Sequence, residues 1–325
     1  MKQTRILVIR PGAIGDALLA FPVLQALREE HFNPHITLVS NVAVLPLARA
    51  WGVADVIFDY QDIRWSELFA GEGIGSTAVH DLLAQTDLAI CWLRDPDGIV
   101  ARNVREAGAR RVIIAPGRPP ESMSVHIVEY LAGTVGIPVG REGADQSALG
   151  AINRPLRGFG AGMPVGADLW GGAPIHRPSL DNQVAIHPGS GGAAKCWPVQ
   201  SFVEVIERLW QQDRPVLLLA GPADERRLES ILELIAPAPE PELLRVLANR
   251  PLLEVASYLQ ACRCYLGNDS GITHLAALLG VPTIALFGPS DPGIWRPVGP
   301  IVKVIQERPL ERIAADTVME AIEAF

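Results

Sequence analysis

Three short segments hold most of the residues that could do chemistry. Gly267-Asn268-Asp269-Ser270-Gly271-Ile272-Thr273-His274 follows an apolar, strand-like run and leads into Leu275, Ala276 and Leu279 at helical spacing. Asp269 and Ser270 are residue types that begin helices, and Gly271 leaves the backbone bare. A helix starting here would aim free N–H groups and the positive end of its dipole at an anion, phosphate being the obvious one. Ser270 and His274, four apart, share one helix face, where an imidazole is a useful donor. A capped helix without a ligand explains Asp269 and Ser270 equally well.

The second segment is His187-Pro188-Gly189-Ser190-Gly191-Gly192-Ala193-Ala194-Lys195, again at a strand exit. Glycine-rich backbone followed by lysine suits phosphate, although the G-K-[ST] ending of a Walker A loop is missing. The third, Arg10-Pro11-Gly12-Ala13-Ile14-Gly15-Asp16, joins the first strand to the first helix, where open α/β sheets place ligands. Gly12 and Gly15 do not make the G-x-G-x-x-G dinucleotide fingerprint, and Asp16 also suits a plain first-turn helix acid. Asp95-Pro96-Asp97 has the D-x-D form that can hold a divalent cation, but Pro96 and Gly98 make it a strong turn.

Elements that could position these loops alternate along the chain as short β-branched runs and amphipathic helical stretches, the pattern of parallel α/β construction. Strands are expected at 5–9, 36–39, 56–59, 88–92 and 111–114, then at 184–187, 215–220, 245–247, 262–266 and 283–287. A helix is expected over 15–30 with a kink at Pro22, others over 201–211, 223–235 and 252–261, and a last one over 310–325. Residues 140–182 are rich in Gly and Pro without periodicity and read as a linker or irregular margin. The 325 residues exceed what one core usually holds, so two domains are expected.

Hydrophobic residues make up 49% and charged residues 20%, which fits a folded soluble enzyme rather than a disordered or fibrous chain. A formal net charge of −8 argues against general nucleic-acid binding by phosphate neutralisation. Cys91, Cys196, Cys262 and Cys264 lack metal-ligand spacing and read as reduced thiols, Cys262 and Cys264 on one face of a strand, which suggests the cytoplasm. No apolar run is long enough for a signal peptide or a membrane span.

In order along the chain, Ile6-Leu7-Val8-Ile9-Arg10 with Gly15-Asp16 and Phe21-Pro22, then His187-Pro188-Gly189 with Lys195-Cys196-Trp197-Pro198, then Gly267 to Gly271 with His274-Leu275-Ala276, and then Leu286-Phe287-Gly288-Pro289 with Asp291-Pro292 and Trp295, resemble glycosyltransferase family 9, the ADP-heptose lipopolysaccharide heptosyltransferases. The resemblance implies a GT-B fold of two facing Rossmann-like domains. It assigns acceptor to residues 1–175, nucleotide-sugar donor to 176–309, and to 310–325 a helix packing back on the N-terminal domain. It implies an inverting, metal-independent transfer of heptose from an ADP-heptose-type donor to a lipopolysaccharide-core or related glycan, with Asp16 as general base.

Ser190, Gly191, Lys195, Asp269, Ser270, Gly271 and His274 would bind the donor diphosphate, Asp269 mainly by orienting its loop, and Glu225 would contact the ribose. Residues 143–181 match nothing in the family pattern. Gly191 and Gly192 bring no hydroxyls, and Cys196 stands where the family often has a basic residue. No cofactor is expected, the ADP-sugar being a substrate, and the acceptor implies peripheral association with the cytoplasmic face of the inner membrane. Arg102, Arg105, Arg110, Arg111 and Arg118 would face an anionic acceptor or form a solvated surface, with Arg102, Arg105 and Arg118 as acceptor-binding candidates. The alternatives are a GT-B enzyme or epimerase using a UDP-sugar, and a catalytically silent nucleotide-sugar-binding protein.

Overall fold

A computed structural model describes residues 3–137, 182–235 and 237–325. The chain divides into two compact units, Met1–Gly158 and Phe159–Phe325. The expected linker and the family-unlike stretch 143–181 lie outside the described residues, as does the expected domain boundary at 175/176.

The N-terminal unit runs β1 (Arg5–Arg10), α1 (Ile14–Leu18), α2 (Phe21–Glu30), β2 (His35–Ser40), α3 (Leu45–Ala50), β3 (Val56–Asp59), α4 (Thr77–Ala84), β4 (Leu88–Trp92), α5 (Ile99–Glu106), β5 (Arg111–Ala115) and α6 (Ile127–Thr134). Its five strands are all parallel, in the order β3-β2-β1-β4-β5. Helices cover the sheet, so β1 and β4 read as near-continuous apolar runs, Ile6 to Ile9 and Leu88 to Trp92. The helix expected over 15–30 is two helices. Pro22 sits in the first turn of α2, where its missing N–H costs nothing, instead of kinking one long helix.

The C-terminal unit runs β6 (Val184–His187), α7 (Val199–Gln211), β7 (Val216–Ala220), α8 (Glu225–Leu234), β8 (Leu244–Ala248), α9 (Leu252–Leu259), β9 (Cys264–Asn268), α10 (Gly271–Leu278), β10 (Thr283–Phe287), α11 (Pro292–Trp295), β11 (Val302–Gln306) and α12 (Ala315–Glu323). Six parallel strands lie in the order β11-β10-β9-β6-β7-β8. Both sheets therefore reverse strand order beside their first strand, at β1/β4 and at β6/β9, and loops leaving those strands are where such sheets take ligands. The register His187↔Gly267 brings the exits of β6 and β9 level.

Leu310, Ile313, Val318, Met319 and Ile322 are buried in the C-terminal unit's own core with Trp197, Phe202 and Ile206. Cys262 corrects one expectation. It lies in the turn ahead of β9, its Sγ donating to the Tyr258 carbonyl at 3.3 Å, and all four cysteines are free.

Candidate donor site and base loop

Two loops from adjacent strands build the C-terminal site. Asn268, the last residue of β9, is fully buried; its amide donates to the Pro188 carbonyl at 2.7 Å and accepts the Trp197 N–H at 2.9 Å. One side chain thus fixes both ends of the glycine loop that follows β6. Trp197 is anchored in turn by its indole N–H, which donates to the Ile313 carbonyl at 3.1 Å. Arg227 of α8 donates to the carbonyls of Pro188 and Trp197 from the other side.

Within this frame the expected donor residues come together. Ser270 caps α10, accepting the Thr273 N–H at 3.4 Å, which leaves the N–H groups of Gly271 and Ile272 at the helix end. Lys195 Nζ lies 2.7 Å from Asp269 Oδ2, and His274 Nε2 lies 3.9 Å from the other oxygen of the same carboxylate. Ser190 donates to the Asp269 main-chain carbonyl at 2.6 Å. Asp269 is the organiser of the cluster, nearly buried, while Lys195 remains 41% exposed and able to reach a ligand. At Gly191 a Cβ would meet nothing within 4 Å, so bare backbone there is open space rather than a packing demand.

Glu225 is exposed at the start of α8, and its carboxylate accepts from the Asn249 side chain at 3.0 Å. Its neighbour Asp224, absent from the sequence reading, is the acid that turns inward, accepting from His187 Nε2 at 3.0 Å and from the Gly221 N–H at 2.9 Å. Burial alone would raise the Asp224 pKa, but the hydrogen bond and charge of His187, the Gly221 N–H and the charge of Arg227 hold it below the ordinary carboxylate value. The missed signal was the turn Gly221-Pro222-Ala223-Asp224, which places residue 224 over Gly221.

In the N-terminal unit Asp16 lies in the first turn of α1, its side chain 30% exposed. One carboxylate oxygen accepts the Ala13 N–H at 3.4 Å, and the other lies 3.5 Å from the Arg10 guanidinium, which also donates to the Asp16 carbonyl. Arg10 is buried; burial lowers its pKa, Asp16 opposes that shift, and nearby Arg118 adds to it. Gly12, at φ +134°, lies so close that a Cβ would stand 3.1 Å from that of Asp16. The carboxylate is therefore aimed by backbone and guanidinium together and still reaches solvent.

The arginines do not form one group. Arg110 pairs with Asp87 at 2.9 Å, and Arg111 lies beside it at the amino end of β5, whereas Arg118 follows the carboxyl end of that strand. Arg102 donates to the Gly71 carbonyl at 2.8 Å, which ties α5 to the segment before α4, and Arg105 is exposed on the same helix. Asp95 caps α5, its two carboxylate oxygens accepting from Val100 and Ala101 at 3.0 and 2.9 Å. Among the described residues no three His, Cys, Asp or Glu side chains cluster as metal ligands would.

Two parallel α/β units, each with its ligand loops at the reversal of strand order, make this a GT-B fold. Escherichia coli heptosyltransferase WaaC, solved with ADP, shares the fold with a TM-score of 0.70 over 99% of both chains at 19% identity. The E. coli ADP-heptose lipopolysaccharide heptosyltransferase II shares it with a TM-score of 0.72 over 99% of this chain and 98% of that one, at 20% identity. Residues 170–320 match the model of glycosyltransferase family 9 (heptosyltransferase). Lipopolysaccharide heptosyltransferase 3 of E. coli is 30% identical over 116 residues, 36% of this chain and 34% of that protein, so the match spans about a third of that relative's length.

Proposed function

We propose that this chain is an inverting glycosyltransferase that moves heptose from an ADP-heptose-type donor to a lipopolysaccharide-core or related glycan acceptor. The observation that carries the reading is the cluster of Lys195, Asp269 and His274 at the first turn of α10, beside an open glycine loop. Cationic and N–H donors gathered on one helix end suit a diphosphate and stabilise its charge as it leaves. The names of the relatives support the donor: they are heptosyltransferases, and WaaC has been solved with ADP and with ADP-2-deoxy-2-fluoro heptose.

In this reading Asp16 accepts the proton of the acceptor hydroxyl as its oxygen attacks the anomeric carbon, and the bond from that carbon to the ADP oxygen breaks. A single displacement inverts the configuration. Lys195 and the α10 N–H groups meet the departing charge, so the step needs no divalent ion. The acceptor is part of a membrane amphiphile, which places the work at the cytoplasmic face of the inner membrane. No helix among the described residues is long and apolar enough to cross a membrane.

The test is a thermal-shift comparison of ADP, UDP and AMP, followed by ADP release with ADP-heptose and core glycans. ADP should raise the melting temperature most, and release should require the acceptor. Preference for UDP would move the assignment to a UDP-sugar enzyme. ADP binding without turnover on any core glycan would leave a silent nucleotide-sugar-binding protein.

A further inference from the structure

A buried chain of side chains ties three strand exits of the C-terminal unit together, and the transfer step as described leaves it unused. His187 ends β6, Asp224 closes the turn after β7, and Ser270 follows β9; they are only 4%, 6% and 9% exposed. His187 Nε2 lies 3.0 Å from Asp224 Oδ2, and its Nδ1 lies 3.3 Å from Ser270 Oγ. Ser270 Oγ is 3.0 Å from Thr273 Oγ1, which is also 3.0 Å from the Tyr265 hydroxyl and donates to the Asn268 carbonyl.

Thr273 Oγ1 donates to the Asn268 carbonyl, and Ser270 Oγ accepts the Thr273 N–H at 3.4 Å. The Tyr265 hydroxyl bonds Ser270 as well as Thr273, and burial keeps that phenol protonated. Asp224, held below the ordinary carboxylate value, accepts from His187 Nε2, which leaves Nδ1 facing Ser270. The titratable neighbours of the pair are Arg227 and Cys196 beside Asp224 and Tyr265 on β9.

We propose that His187, paired with Asp224, acts as a positioning residue for the diphosphate end of α10. Its Nδ1, 3.3 Å from Ser270 Oγ, holds that hydroxyl in its capping orientation, so the N–H groups of Gly271 and Ile272 point one way. Gly189 fits the same arrangement, because a Cβ there would stand 1.9 Å from Asp224 Oδ1. The inference rests on the donor-site reading.

Calorimetry and thermal melts test it. Calorimetry of Asp224→Asn and His187→Gln should show ADP binding weakened about 10-fold, while AMP changes less than about 2-fold. A merely structural role would lower the melting temperature and weaken ADP and AMP alike, and that result, or unchanged ADP binding, would overturn the proposal. Failure of the unaltered protein to bind ADP would bring down the donor-site reading itself, an outcome distinct from losing the positioning role alone.

Discussion

Replacing Lys195 with alanine separates binding from stability at the candidate donor site. Lys195 is 41% exposed and its partner Asp269 only 8%, so the ion pair matters unequally to its members. For folding the ammonium is worth little, as exposed pairs contribute at most about 1 kcal/mol. For an incoming diphosphate, a charge-assisted hydrogen bond is worth roughly 1.5 to 3 kcal/mol, or about 13- to 160-fold in affinity. Removing the lysine also takes away the cation 2.7 Å from the buried Asp269 carboxylate, so Asp269→Asn should be introduced beside it. The expected results are a Kd for ADP raised within that range in Lys195→Ala, AMP affected less, and a melting temperature restored in Lys195→Ala/Asp269→Asn without full recovery of ADP binding. Titration calorimetry and thermal melts on the same preparations decide the matter. An unchanged ADP Kd, or equal losses for ADP and AMP, would remove Lys195 from the diphosphate.

Asp16→Asn keeps shape and removes the base, so turnover should fall by at least about 100-fold while ADP affinity holds; near-normal turnover in an ADP-release assay would refute the role. Turnover should survive EDTA, and Asp95→Ala should cost about 0.5 to 2 kcal/mol of stability through the lost α5 cap while sparing activity; chelator inhibition reversed by magnesium or manganese would contradict this. Gly189→Ala should destabilise by roughly 1 to 3 kcal/mol in urea melts, because its methyl would press on Asp224, and an unchanged midpoint would mean the loop yields freely.

Sequence revealed what is local. Strands buried on both faces, such as Val184–His187 and Thr283–Phe287, read as apolar runs, and the loops that follow them carry their chemistry within a few residues. Lys195, Asp269, Ser270 and His274 stand out as candidates for that reason. Val302–Gln306 escaped because it is an edge strand whose Lys303 and Gln306 face solvent and blur the pattern. His187 and Asp224 lie 37 positions apart, and no periodicity relates them. The tight turn before α8 turns Asp224 inward and leaves Glu225 outside, a placement that depends on three-dimensional turn geometry rather than on periodicity. The Arg102 to Arg118 segment looked like one charged surface because spacing along a chain ignores that β5 separates its two ends.

The bond from the Trp197 indole to the Ile313 carbonyl sets an order of events during synthesis. The glycine loop is made early in the C-terminal unit, yet its anchor and the core beneath it include Ile313, Val318 and Ile322, with Ile313 lying 116 positions after Trp197. The N-terminal unit can fold while the ribosome is still at work, but the glycine loop stays unanchored until those residues emerge. Ribosome-bound chains halted before residue 313 should remain open to limited proteolysis near Trp197, and protection at that stage would contradict this order.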